Sequence, residues 1–207
     1  SNVTIYIGHS ANMSKLTHIS TGRPEFDEFY PRIEAFLQED TMDMVIDGVP
    51  VHGYRSPDCP AIWLRDHSDI LRGARHFEQD MTSAVTHFAE TQAKNGRIFD
   101  FFTDQPLAAP TERENWVKYV RVPVEADVEY RYVKAAYLAW QTTGDDAWVQ
   151  GLLPSLEAAL NYIFTHPCRW DEKHQLVKRA YTIDSWDFAY TAGKHDWLQF
   201  QIDDNTF

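Results

Sequence analysis

Cysteine is nearly absent: Cys59 and Cys168 are the only two in 207 residues, they lie far apart, and they form no CxxC unit. That spacing argues against a disulfide framework or a zinc knuckle and leaves the redox compartment open. Positive charge is scarce too. Nineteen Lys and Arg stand against 31 Asp and Glu, a net charge of −12, which opposes binding to nucleic acid or to an anionic membrane surface. No apolar run reaches about 18 residues, so no membrane partner is expected. Also missing are a glycine-rich phosphate loop, a nucleophile elbow and a dinucleotide fingerprint. The chain opens Ser1-Asn2 without Met, as the remnant of a cleaved tag would, and no signal-peptide pattern follows, so localisation and oligomeric state stay unassigned.

What remains is a globular composition, 43% hydrophobic and 24% charged, enough for one well-buried core. Seven tryptophans are more than a small core needs. Most aromatic rings are expected inside, but Trp63 and Trp186 stand beside acids, and the net charge of −12 makes a neutral ligand the easier expectation.

Residues 1–57 predict a mixed strand and helix entry segment. Val3 to Ile7 alternate as a short strand does. Pro24 opens a helix in which Phe26, Phe29, Ile33, Phe36 and Leu37 recur at helical spacing. Asp47-Gly48 between Met44-Val45-Ile46 and Val49-Pro50-Val51 predicts a hairpin, because both turn residues tolerate positive φ. From Ser68 one long amphipathic helix is expected, with Ile70, Ala74, Phe77, Met81, Ala84, Val85 and Phe88 on its buried stripe and Asn95-Gly96 as its stop. Arg97 to Val122 reads as irregular, with room for a short helix over Glu112 to Tyr119. A helix from Asp127 to Thr143 then closes at Gly144, and Asp145-Asp146 start the next, which carries Pro154 as a kink or a new start. Together they form a helical hairpin. Periodicity fits a bundle or a toroid of helix pairs equally.

Two segments carry candidate chemistry. In Trp63-Leu64-Arg65-Asp66 the acid either caps the following helix or joins Arg65 in gripping hydroxyls while Trp63 supplies an apolar wall; a third reading makes Arg65 and Asp66 a surface ion pair worth little. In Asp184-Ser185-Trp186-Asp187-Phe188 a carboxyl between two rings is poorly solvated, which keeps it protonated and able to donate to a leaving glycosidic oxygen. The plainer reading of Asp187 is a helix cap, and Asp184 binds a hydroxyl or orients Asp187. Glu125, Asp127 and Glu129 suit a helix N-terminus, with Asp127 also able to face the site. His76 and Asp80, four apart on the expected helix, are too few for a metal site. Rings beside carboxylates suit a sugar, which offers flat C–H faces and a rim of hydroxyls.

In order, these segments resemble the glucoamylase and trehalase group of glycosidases, the six-hairpin group built on an (α/α)6 toroid. In that group a Trp-x-Arg-Asp segment opens an early helix and lines the subsite of the sugar whose bond is cut; here it is Trp63-Leu64-Arg65-Asp66. A later loop carries the general acid directly after a Trp, as Asp-Leu-Trp-Glu in glucoamylases and Ser-Gly-Trp-Asp-Phe in trehalases, and Asp184-Ser185-Trp186-Asp187-Phe188 is similar. The resemblance spans residues 61 to 190. It implies Asp187 as general acid, with Trp63, Arg65, Asp66, Asp127, Asp184 and Trp186 holding the substrate, an oligosaccharide or glycoside, and no cofactor. Asp187 replaces the glucoamylase Glu, and Ile183-Asp184-Ser185 replaces the trehalase Glu-Ser-Gly, so the substrate is copied from neither.

The implied architecture is mainly α: the first part of an (α/α)6 toroid over residues 58–207, after the entry segment. Six hairpins need some 300 residues or more, so an incomplete toroid is expected, with the general base outside this chain. Hydrolysis with inversion requires that second carboxylate about 6.5–9.5 Å from the acid. Rival expectations are a glycan phosphorylase or sugar epimerase on the same fold, a non-catalytic glycan-binding or scaffold protein, and an unrelated helical bundle.

Overall fold

The computed structural model describes residues 4–6, 18–57, 59–105, 118–121, 125–167 and 169–178. The first alternating segment is a strand, β1 (Thr4–Tyr6), paired antiparallel with β2 (His18–Ser20). Pro24 occupies the first turn of α1 (Pro24–Asp27), where its missing N–H costs nothing. The chain then breaks at Glu28 and resumes as α2 (Phe29–Glu39). The spacing predicts one apolar stripe here, and the structure turns most of it outward. Tyr30, Glu34 and Leu37 face the body, with the Tyr30 hydroxyl donating to the His76 carbonyl at 3.4 Å. Phe26, Phe29, Ile33 and Phe36 stay exposed. Periodicity fixes the helix but not which side of it meets the core.

The predicted hairpin forms as β3 (Thr41–Ile46) and β4 (Val49–Tyr54), closed by Asp47 and Gly48 at φ +50° and +84°. Those angles match the right-handed twist of the strands. Alternation sends Met44, Ile46, Val51 and Tyr54 into the core, while Val45 and Val49 stay outside.

The long helix expected from Ser68 is two helices, α3 (Leu64–Ala74) and α4 (Ser83–Glu90). Two acids explain the break. Glu78 Oε1 accepts the backbone N–H groups of Gln79 and Asp80, and Asp80 Oδ1 accepts those of Thr82 and Ser83. Such bonds compete with the helical ladder and cap the helix that follows. The apolar period survives because both helices press on one core: Ala74, Met81, Ala84, Val85 and Phe88 are buried. His76 and Asp80 therefore share no helix. α4 ends at Glu90, before the expected stop, and Gly96 lies in the turn beyond it.

The stretch expected to be irregular supplies two short strands. β5 (Ile62–Trp63), just before α3, pairs antiparallel with β6 (Phe101–Phe102), and β6 with β7 (Tyr119–Val120). Tyr119 is thus extended rather than helical; the rest of the short helix expected there, 112–117, lies outside the described residues.

α5 (Val128–Thr143) and α6 (Asp146–Thr165) form the predicted helical hairpin. α5 closes at Gly144, Asp145 caps α6 by accepting the Trp148 N–H at 2.9 Å, and α6 runs through Pro154 without a break. β8 (Trp170–Asp171) and β9 (Leu176–Val177) make a last small hairpin. The described chain is mainly helical with small antiparallel sheets. One core joins Met44, Ile46 and Val51 of the hairpin to Leu64, Leu71, Phe88, Tyr132, Ala135 and Ala159 of the helices.

Gly96 marks the tightest approach between the loop after α4 and α6. Its φ is +95°, and a Cβ there would sit 2.1 Å from the Ala158 carbonyl oxygen. Backbone must move to admit a methyl group, so Gly96→Ala is expected to cost at least about 2 kcal/mol, read as a lowered urea midpoint.

A polar network pins the hairpin to the α3–α4 break. His52 Nδ1 lies 2.7 Å from Asp43 Oδ1, and Nε2 lies 3.0 Å from Glu78 Oε2, which also accepts the Tyr54 hydroxyl at 2.6 Å. Two carboxylate acceptors call for two N–H donors, so the ring is an imidazolium. The bond to Glu78 is the main reason its pKa rises to about 9. Burial pushes Glu78 up, but His52, Tyr54 and the Asp80 N–H outweigh it and hold it at about 2. Across Tyr54, His67 Nδ1 accepts the Tyr54 N–H at 3.1 Å. Burial, then repulsion from His52, lowers its pKa to about 4 and keeps it neutral.

The signs combine. The raised pKa of His52 stabilises the fold fully below 6.5, and that contribution is lost as pH rises through about 9. His67 acts oppositely: below 6.5 the unfolded chain takes its proton first, so stability falls as pH drops toward 4. Glu78 contributes above 4.5 and loses its contribution toward pH 2. Urea midpoints are therefore expected to peak near pH 6.5, and His52→Gln to flatten the alkaline limb. A limb equally steep in that variant would assign the slope to other groups.

Candidate functional site

Strand β5 delivers Trp63 to the start of α3, and the Leu64 N–H bonds the Asp100 carbonyl at 2.8 Å as the chain changes from strand to helix. This junction places Trp63, Arg65 and Asp66 within one turn. Trp63 is half-buried, and its cross-strand partner is Phe101; the two ring centroids are 4.2 Å apart at an interplanar angle of 32°. Phe101 is buried, so it backs Trp63, and the indole alone presents an apolar plate beside the charged helix start.

Arg65 does not pair with its neighbour Asp66. Its Nη1 meets Glu125 Oε2 at 2.5 Å. Burial works against the Arg65 charge, but the hydrogen bond and field of Glu125, with Asp100 and Asp127 behind it, raise its pKa above the ordinary guanidinium value. Asp66 Oδ1 instead accepts the Ser56 hydroxyl. The sequence left Asp66 between capping and gripping; it lies in the first turn of α3, and its described hydrogen bond goes to a side chain ten residues upstream.

The three acids before and within α5 are also more than caps. Asp127 makes no side-chain cap; its Oδ2 accepts from Arg131 Nε at 2.8 Å. Arg131 and Lys134 together hold Asp69 of α3, at 2.8 and 2.5 Å, fastening α5 to α3. Burial pushes Asp69 up, but those two cations win and lower its pKa. Glu129 is fully buried and paired with Arg121 at 2.9 Å. The same guanidinium donates to the Ile98 and Glu125 carbonyls at 2.9 and 3.0 Å.

The structure thus brings Trp63, Arg65 and Asp66 together, with Asp127 acting on Arg65 through its field while bonded elsewhere. Asp184, Trp186 and Asp187 lie outside the described residues. Sequence reasoning missed Ser56 and Phe101 and took Glu125 for a cap. The alternation around Phe101-Phe102 is too short to announce a strand, and nothing local announces a partner 60 residues away.

Chemically, the junction offers an aromatic plate, a guanidinium and two carboxylates, all held by neighbours before any ligand arrives. Among the described residues no three His, Cys, Asp or Glu gather as a metal would require. A separate cavity of about 590 Å³ lies over the outer face of the β3–β4 hairpin, lined by Asp43, His52, Asp80 and Asp104 with Val45 and Pro50. It does not include the Trp63 junction. No family model matches the chain, and no curated protein or solved structure is significantly similar to it.

Because Arg121 and Glu129 sit beneath the junction with almost no exposure, removing one charge strands the other. Glu129→Leu is expected to cost about 3–5 kcal/mol, seen by urea denaturation.

Proposed function

We propose that this chain carries the substrate-gripping part of a glycoside hydrolase of (α/α)6-toroid type, cleaving a glycosidic bond with inversion. One observation carries the reading: the Trp63 plate, backed by Phe101, stands at the same helix start that presents Arg65, Asp66 and Glu125. A pyranose laid on the exposed side of Trp63 turns its C–H face to the indole, which Phe101 backs from below, and its hydroxyls to donors and acceptors at the edge. The antiparallel α5–α6 hairpin, packed beside α3 and α4, supports the toroid, which repeats such pairs.

In this mechanism Arg65 donates to sugar oxygens and Asp66 and Glu125 accept from hydroxyls, while Trp63 and Trp186 wall the site and Asp127 and Asp184 complete its polar rim. Asp187 donates its proton to the glycosidic oxygen as the C–O bond breaks. Water, deprotonated by a base outside this chain, attacks the anomeric carbon from the opposite face. No cofactor takes part.

Binding without cleavage is favoured by one feature: the carboxylates placed at the junction already accept from Arg65 or Ser56, which suits holding hydroxyls more than moving protons. Turnover of a glycoside panel by the intact protein separates the readings. The hydrolase predicts release of the inverted sugar, an Asp187→Asn variant slower by about 10²-fold or more, and a raised KM in Trp63→Ala. Asp187→Asn within threefold of wild type would overturn the acid assignment. Sugar binding with no turnover would replace hydrolase by glycan-binding protein, and turnover that requires phosphate would replace it by phosphorylase. If Asp66→Ala and Trp63→Ala change stability but no sugar affinity, the site is not a sugar site.

A further inference from the structure

The sequence builds α2 as an amphipathic helix, yet the structure leaves Phe29, Ile33 and Phe36 exposed on it, next in sequence to the exposed Phe26 of α1, whose ring lies under the Arg23 guanidinium. Phe26, Phe29, Ile33 and Phe36 are 51%, 63%, 47% and 61% exposed. At this exposure four large side chains present roughly 400 Å² of apolar surface, on the scale that marks an interaction site rather than scattered surface residues. Phe29, Ile33 and Phe36 stand at positions i, i+4 and i+7, one ridge along the helix.

Charge around the ridge selects the partner. Between Arg23 and Asp40 the chain carries six acids against two arginines. Both arginines are already engaged, Arg23 with Glu25 at 2.7 Å and Arg32 with Glu28 at 2.8 Å. Two copies meeting through this face would bring their acidic flanks together, which disfavours self-pairing. An anionic bilayer is disfavoured for the same reason. An amphipathic helix whose apolar side is bordered by Lys and Arg satisfies both the ridge and its flanks.

We propose that the Phe29–Ile33–Phe36 ridge of α2 is a docking surface for a basic amphipathic helix of a partner protein. The partner's apolar side covers the phenylalanines, and its cations meet Glu39 and the net negative charge that six acids and two arginines leave on this stretch. This surface is independent of the sugar reading and stands or falls without it.

The test uses the full chain and a fluorescein-labelled 18-residue helix of leucines and lysines patterned with period 3.6, followed by anisotropy. Saturable binding is expected, weakened at least about tenfold in Phe29→Ser/Phe36→Ser, weakened also in Glu39→Lys, and reduced by added salt. Both variants change exposed residues and should melt at the wild-type temperature; the charge variant keeps the test valid if the serine variant unfolds. Equal binding by a peptide with glutamate in place of lysine would overturn the proposal, as would binding that neither variant weakens. A wild-type dimer in light scattering that dissociates in Phe29→Ser/Phe36→Ser would assign the ridge to a second copy. Loss of wild-type binding to phosphatidylcholine vesicles in that variant, without loss of peptide binding, would assign it to a membrane.

Discussion

Burying the Arg121–Glu129 pair removes two charges from water, at a cost of several kcal/mol for each ion unless neighbours complete their hydrogen bonds. Those neighbours determine the layout around the proposed site. Glu129 Oε1 accepts the Ile98 N–H as well as Arg121, and Arg121 donates to the Ile98 and Glu125 carbonyls. One ion pair therefore ties α5 to the segment that becomes β6 and fixes the backbone of Glu125. With Glu125 fixed, its carboxylate meets Arg65 at the head of α3. With β6 fixed, Phe101 lies under Trp63. The aromatic plate and the charged rim share one buried support. Arg97 and Arg169 crowd the same region, and burial followed by repulsion from Arg121 holds both below the usual guanidinium range. The acid count of Glu129 and its surroundings is thus part of what makes this cluster of cations tolerable.

Local features were legible and distant ones were not. The Asp47-Gly48 turn, the alternation around it and the α5–α6 hairpin were readable because each depends on residues within a few positions. The α3–α4 break escaped the apolar period because polar side chains made it: Glu78 and Asp80 take backbone N–H groups while Ala74, Met81 and Val85 keep their spacing on the core. A stripe count sees only the second set. For α2 the period was right and the facing was not, since its orientation is decided by contacts through Tyr30 and Leu37. At the site, the sequence singled out Trp63, Arg65 and Asp66 from their types and adjacency. Of the readings it left open, an ion pair between Arg65 and Asp66 does not form, because adjacent side chains at a helix start diverge, while Glu125, from beyond the last strand of the sheet, converges on Arg65.

Tyr54 shows how the hairpin is held to the helices by groups in opposite protonation states. Its hydroxyl donates to Glu78, beside a charged His52, while its N–H donates to His67, which burial keeps neutral. The two histidines are close enough for the first to suppress protonation of the second. The buried face carrying Met44, Ile46 and Val51, with the two-residue turn at Asp47-Gly48, already specifies the hairpin's register. Pairing Asp43 across the strands with His52, and His52 with Glu78, adds to that register the approach of the α3–α4 turn.

Preorganisation shapes what the proposed sugar site gains from its ligand. Arg65 enters already bonded to Glu125, and Asp66 already bonded to Ser56. A hydroxyl that takes a bond from either group adds to the existing geometry or exchanges with it, so the net gain per polar contact is small, about 1 kcal/mol. The rings face no such competition, because covering the exposed side of Trp63 removes apolar surface from water outright. Affinity at this junction should therefore come chiefly from stacking, and selectivity from the fixed directions of Arg65, Asp66 and Glu125. The buried pair beneath them matters for that second property: it holds Glu125, and through it Arg65, in a fixed direction, so that in the proposed site a hydroxyl pointing elsewhere gains no bond.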